Sequence, residues 1–356
     1  MPLKLLLFFI LMIGAGGTAY SSENAIKWHP GHYYTILSYG KNKPGYMRQV
    51  YQELKTTPAL RGLQVRYNWR ELEPQEGVYN FSLINQHLSE LAEQNKRLVI
   101  LFELKSFGPD VNQVTIPDYV KAAKYEGGIY PFNNYGKGVI RGYGLKLWNQ
   151  SVLDRLTLLI RALGEQFNSH PYFEGIGFTE SSTGDSKDLT NNKTNDYFRN
   201  LLQLNKEVRR YFPNTMTYQF TNYPRRILGP FIETLKEIGT ALGGPDIFME
   251  DPGLLHRDKP KGVYHYYPEL SGIVPLAPSV QHQNYQSTRW DGKGYEPDIS
   301  ELMSFARDTL KANYLFWTRD PKYYSKVLQK LNTLDLSDPA GGLDSKCPKA
   351  YGSCVN

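Results

Sequence analysis

The chain of 356 residues carries 41 Lys and Arg against 35 Asp and Glu, a formal charge of +6 spread without any basic run, which disfavours nucleic-acid binding. It contains no H-E-x-x-H, G-x-S-x-G or P-loop motif, so metalloprotease, esterase and NTPase readings lack their chemistry, and nothing calls for a cofactor or a metal. The 27 Tyr, 16 Phe and 5 Trp suit an exported protein that stacks sugar rings on aromatic faces, although most aromatics fill cores.

In chain order, Lys4 precedes the apolar run LLLFFILMIGAG and the small residues Gly17, Thr18 and Ala19. This reads as a signal peptide over residues 1–20, cleaved near 19–22 and too short to favour a retained anchor. The expected destination is secreted or periplasmic, with no stable membrane insertion after cleavage. Roughly 335 residues remain, a length that suits one α/β barrel with inserted loops. HYYTILSYG (32–40) is a strand and PGYMRQVYQELKTT a helix. LQVRYNW (63–69), SLINQHLSELAEQNK and RLVILFELKSF (97–107) repeat the alternation. A long segment from Gly108 to about Lys146, rich in Gly, Tyr and Asn, then interrupts it. Segments of that length are usually functional, and its tyrosines 119, 125, 130, 135 and 143 are expected over a cleft.

SVLDRLTLLIRALGEQF is a helix with apolar residues at three and four spacing, followed by the strand FEGIGFTE. YFRNLLQLNKEVRRYF and TMTYQFTNY follow as helix and strand, then GPFIETLKEIG and TALGGPDIF, the strand SGIVPLAPSVQHQNY, the helix ISELMSFARDTLKAN and the strand YLFWTR. Eight strands separated by helical patterns imply a (β/α)8 TIM barrel over 25–335, an α/β fold in a single domain. An open doubly wound sheet fits less well, since no G-x-G-x-x-G follows the first strand. The Gly/Pro-rich tail, 336–356, holds Cys347 and Cys354, expected as one small disulfide in an oxidising compartment.

A barrel builds its site at the C-terminal ends of its strands. The polar and aromatic residues expected there are Arg66, Asn68 and Trp69 after strand two, Glu103 and Lys105 after strand three, Glu180 after strand four and Asn222 after strand five. Asp246 follows strand six, Gln281, Gln283 and Tyr285 belong to strand seven, and Trp317 to strand eight. Gln281 and Gln283, two residues apart on a strand, would present both amides to sugar hydroxyls. Trp69, Trp317, Tyr130, Tyr135 and Tyr143 are candidate stacking platforms. His282 is more simply a wall residue than a proton carrier.

The segment WRELEPQEGVYNFSLINQHLSELAEQNKRLVILF resembles the strand-two to strand-three region of retaining glycoside hydrolase barrels of the clan A type, with their W-x-x-x-E-P-x-x-G-x-Y-x-F pattern. LDRLTLLIRALGEQFNSHPYFEGIGFTE is similar to the helix and fourth strand of the same superfamily. The resemblance spans roughly residues 60–185. It implies that Glu180 is the general acid/base and that Arg66 braces the nucleophile. Thr179 stands where the superfamily has Asn, and strand seven, APSVQHQNYQ, lacks the acid that the superfamily carries there.

Glycoside cleavage needs two carboxyl groups. Asp246 is the favoured second one, because Gly243 and Gly244 in ALGGPDIF would let a ligand or backbone approach closely, although a plain turn capped by Asp246 explains the same residues. Glu250, Asp251 and Glu103 follow. The sequence therefore reads as an exported glycoside hydrolase acting on an oligo- or polysaccharide. A polysaccharide lyase using Arg66, Lys105 and His282 on an acidic glycan, and a carbohydrate-binding barrel without catalysis, remain open beside it.

Overall fold

The computed structural model describes residues 25–111, 116–133 and 138–356; the expected leader and Tyr135 lie outside them. Eight parallel strands close into a barrel: β1 (Gly31–Ile36), β2 (Leu60–Tyr67), β3 (Arg97–Phe102), β4 (Phe173–Phe178), β5 (Met216–Phe220), β6 (Ala241–Gly244), β7 (Leu276–Val280) and β8 (Tyr314–Thr318). Each pairs with the next, and β8 closes on β1 with Phe316 opposite Tyr33. The fold is the expected (β/α)8 barrel.

The helices are α1 (Pro44–Thr56), α2 (Ser82–Ala92), α3 (Gln150–Phe167), α4 (Asn191–Tyr211), α5 (Arg225–Glu237), α6 (Tyr266–Leu270), α7 (Ile299–Ser304) and α8 (Tyr324–Leu331), with one further helical turn at Trp69–Leu72. Helix α3 shows why the sequence folds this way. Asn149 caps it by accepting from the Val152 amide, and Val152, Leu156, Leu159, Ile160 and Leu163 repeat at three and four spacing on the face that is buried. Each such side chain contributes about 1.5–3 kcal/mol when fully withdrawn from water. None of the helices among the described residues is long and apolar enough to cross a membrane.

Strand alternation divides the core in two. Tyr33, Val99, Leu101, Met216, Tyr218, Phe220, Ala277, Tyr314 and Phe316 fill the barrel, whereas Tyr34, Leu63, Val65, Leu98, Ile100 and Trp317 join the larger cluster shared with the helices. The floor of the barrel holds a fully buried carboxylate. Glu174 accepts from the His29 amide (2.7 Å), His29 Nδ1 (2.8 Å) and the Tyr314 hydroxyl (2.6 Å). Burial pushes this carboxyl up, but the bonds and charge of His29 and the bond from Tyr314 outweigh it and hold Glu174 below the ordinary carboxylate range. The tail seals the same end. Ile26–Lys27 pairs in parallel with Cys354–Val355, Cys347 and Cys354 form the expected disulfide, and Tyr351 packs edge-on against Trp28.

Two expectations change. The run RLVILFELKSF is not one strand. β3 ends at Phe102, and Lys105–Phe107 begins a separate antiparallel sheet with Ile140–Leu145 and Ile129–Asn133. The long segment is therefore a structured excursion rather than a bare loop, and its tyrosines mostly pack inward. Tyr125 and Tyr130 are buried, and the Tyr130 ring lies 5.1 Å from that of Trp148. Strand seven also ends earlier than expected, at Val280, so residues 281–286 form the turn that follows it.

Candidate active site

Above the apolar filling of the barrel lies a polar layer. Thr35 donates to Gln64 Oε1 (2.8 Å), Gln64 Nε2 to the Tyr218 hydroxyl (3.0 Å), and that hydroxyl to the Ile100 carbonyl (2.9 Å). These bonds fix the platform on which Arg66 stands. Arg66 reaches Gln281 Oε1 at 3.5 Å and Glu103 Oε1 at 3.9 Å. Gln281 also accepts from Thr318 (3.2 Å), and Glu103 from Ser38 (2.9 Å). Burial raises the Glu103 carboxyl, against the opposing charges of Arg66 and Lys41.

Glu180 follows directly on β4, at the mouth. Its Oε1 is 3.2 Å from Lys105 Nζ, an ammonium that is almost completely enclosed and lies 5.4 Å from the ring of Phe132. Burial pushes Lys105 down and the charge of Glu180 opposes it. The hairpin of the excursion leans on the same loop. Asn133 and Asp185 exchange backbone hydrogen bonds of 2.8 and 3.0 Å, and the Tyr130 hydroxyl donates to the Thr183 carbonyl (3.2 Å). The excursion thus supplies one wall beside Glu180.

Asp246 lies just past β6 and is half-buried. Its carboxyl is pushed up to about 7, first by burial, then by the negative charge of Glu180, with Arg66 opposing and Asp251 adding to the rise. Arg66 at the end of β2, Glu180 after β4 and Asp246 and Asp251 after β6 therefore share one electrostatic neighbourhood, to which Lys105 is joined through Glu180. The glycines before Asp246 have another purpose than the one expected. A Cβ on Gly243 would stand 2.6 Å from the Phe220 ring, and one on Gly244 would stand 2.5 Å from the Tyr267 hydroxyl, so they make room for protein side chains rather than for a ligand.

The other candidates separate into those at the mouth and those away from it. Asn222 is half-buried, and its side-chain oxygen accepts from the amides of Ser182 (3.2 Å) and Tyr223 (2.8 Å), which ties the loops after β4 and β5 together. Asp251 takes the amides of Gly253 (2.8 Å) and Leu254 (2.9 Å) and the Tyr223 hydroxyl (3.2 Å) on one oxygen, a turn-holding role. Glu250 is exposed and bonded by Thr288. Asn68 caps the Trp69–Leu72 turn, and Trp69 is buried with its indole donating to Glu73 (2.8 Å). Tyr285 is buried, stacked on Tyr323 at 5.1 Å. Trp317 faces the helices and donates to His32 Nδ1 (3.0 Å). Gln283 is exposed in the turn after β7, so it does not share a strand face with Gln281. His282 is paired through Nδ1 with Asp320 at 2.6 Å.

The exposed aromatic residues on segments that follow the barrel strands are others: Tyr39, Phe107 at the end of the strand Lys105–Phe107, Trp290 and Tyr295, with Trp290 62% exposed. Nothing in their local sequence marks them apart from the buried tyrosines, except that Trp290 stands in the turn-rich run TRWDGKG.

No family model matches the chain, and no curated protein matches it in sequence. Solved structures do resemble it. The catalytic domain of the β-amylase from Paenibacillus polymyxa aligns with a TM-score of 0.56 at 10% identity, over 90% of this chain and 96% of that one. The β-galactosidase from Rahnella sp. R3 aligns at 0.58 and 10% identity over 88% of this chain, which spans 57% of the galactosidase. Endo-glycoceramidase II from Rhodococcus sp. aligns at 0.51 and 13% identity, over 83% and 76%. The chain thus has the barrel fold of glycoside hydrolases, as the resemblance of residues 60–185 implies. At these identities the likeness establishes the fold alone.

Proposed function

We propose that the protein is an exported glycoside hydrolase that cleaves an oligo- or polysaccharide with Glu180 and Asp246 as its carboxyl pair. The observation that supports this reading is the electrostatic facing of the two groups at the barrel mouth, where Asp246 is raised to about 7 by burial and by the charge of Glu180. Such a carboxyl holds its proton in about half of the molecules at pH 7 and can deliver it to a leaving oxygen. Glu180, with the Lys105 ammonium at 3.2 Å, is the partner that attacks the anomeric carbon or activates water. This order inverts the one implied by the resemblance, in which Glu180 is the donor. Arg66 and Gln281 are placed to hold sugar hydroxyls. The disulfide and the leader-like N-terminus support export.

The test is leaving-group dependence. Asp246→Asn should cost on the order of 10² to 10⁴ in rate on a natural glycoside, and far less on an aryl glycoside whose phenol departs unaided. Glu180→Gln should slow both alike. The reverse pattern would restore Glu180 as the proton donor, and unchanged turnover in both variants would end the proposal. A polysaccharide lyase is the second reading, supported by His282, whose Nδ1 is held by Asp320 so that Nε2 is left as a base. An unsaturated product absorbing in the ultraviolet would select it.

A further inference from the structure

A cleft of about 380 Å³ opens between the loop that leaves Glu180 and the start of α5. Its walls include Ser186, Asn191, Tyr223, Arg225 and Arg226, with Asp185 at the edge. The loops that form it are joined to each other immediately behind Glu180. Ser181 donates to the Tyr223 carbonyl (2.8 Å), and the Ser182 amide to Asn222 Oδ1 (3.2 Å). The Tyr223 hydroxyl reaches Asp251, which adds to the charge around Asp246. The cleft and the proposed site are thus bordered by the same two loops, those after β4 and β5.

Arg225 is half-buried and lines the cleft. Its Nη1 is shut off from solvent without an acceptor, and among the described residues no carboxylate lies within ion-pair distance of Arg225 or Arg226. Arg319 and Arg155, by contrast, are answered by carboxylates: Arg319 by both oxygens of Glu53 at 2.7 and 2.8 Å, and Arg155 by Glu73. Arg225 and Arg226 thus bring two positive charges without a carboxylate partner to the wall of the cleft, and an anion seated there would answer them. Asp185 is exposed, so water screens its charge, and it makes no ion pair with either arginine.

We infer that this cleft is a subsite for an anionic substituent of the glycan, the carboxylate of a uronic acid or a sulfate ester, held by Arg225 with Arg226 at the rim. The planar fork of Arg225 matches either group. The inference rests on the glycosidase reading for its substrate class, but its test needs no turnover.

Binding of an oligogalacturonate, a sulfated galactan oligosaccharide and a neutral cello-oligosaccharide is measured by titration calorimetry on the wild-type chain and on Arg225→Met, Arg225→Lys and Arg226→Met, each checked for an unchanged circular dichroism spectrum. One acidic ligand should bind, with affinity lowered about ten- to a hundredfold by Arg225→Met, partly restored by Arg225→Lys, and reduced by added salt. Loss with the galacturonate identifies a carboxylate and loss with the galactan a sulfate. The neutral ligand should not distinguish the variants. Equal affinity of wild type and Arg225→Met for both acidic ligands, or equal loss on acidic and neutral ligands, overturns the inference. Hydrolysis fails separately: acidic binding that depends on Arg225 without any bond cleavage would leave the subsite standing and remove the hydrolase.

Discussion

If Asp246 holds its proton to about pH 7, the folded chain binds one more proton than the unfolded chain between the ordinary Asp value of 3.8 and 7. Stability from this group is then greatest below that window and is lost as pH rises through it, because the unfolded carboxyl ionises freely while the folded one must ionise beside Glu180. The interval of about three pH units corresponds to about 4 kcal/mol, an upper figure because the side chain keeps some contact with water. Asp246→Asn removes the titration while preserving shape. Urea unfolding of both chains at pH 4.5 and pH 8 should show the difference in stability between variant and wild type growing in favour of the variant by up to about 3 kcal/mol at the higher pH, since pH 4.5 already lies inside the window. Part of this penalty comes from Glu180, so the same comparison in a Glu180→Gln background should give a smaller change. Parallel pH dependence of Asp246→Asn and wild type would refute the raised carboxyl, and with it the proton-donor role.

Three further outcomes follow from the described contacts. Lys105→Met should lower kcat on every glycoside by about tenfold or more while Lys105→Arg retains part of it, because Glu180 loses its buried counter-charge; steady-state kinetics on natural and aryl substrates would check this. Trp290→Ala should leave the melting temperature nearly unchanged, since an exposed residue contributes within about 0.5 kcal/mol, and should raise KM for long substrates more than for short ones. Glu174→Ala, which leaves His29 and Tyr314 without their acceptor at the barrel floor, should cost about 3–5 kcal/mol in denaturant unfolding while leaving the pH profile of any catalysis in place.

The barrel is legible in the chain because apolar runs and amphipathic helices alternate from residue 32 to residue 318, and strand order follows from that alternation. Orientation is harder to read. Phe316 faces the barrel interior and Trp317 the helices, so a single step along β8 separates a residue that fills the barrel from one packed beneath the helices. The same limit explains Trp69 and Tyr285, both large, both near strand ends and both enclosed. Gln283 departs because β7 stops at Val280, where the Asn284 side chain accepts from the Gln281 amide (2.6 Å) and turns the chain. Lys105 is placed next to Glu180 by an antiparallel sheet whose partner strand lies 35 residues or more further along, a pairing that local periodicity does not encode. Asp246 lies at the mouth, but the glycines that drew attention to it answer to Phe220 and Tyr267. The orphaned edge of Arg225 depends on what is absent around it, which no local pattern announces.

The closure of β8 onto β1 sets an order on the birth of the molecule. Strands β1 to β7 can pair with one another as they emerge, but β1 keeps an open edge of backbone donors and acceptors until residues 314–318 arrive, and Ile26–Lys27 finds its partner only with residues 354–355. Nearly the whole chain must therefore be present before its first strand is satisfied on both sides. A chain truncated before residue 314 would leave the edge of Gly31–Ile36 unpaired and open to pairing with other copies.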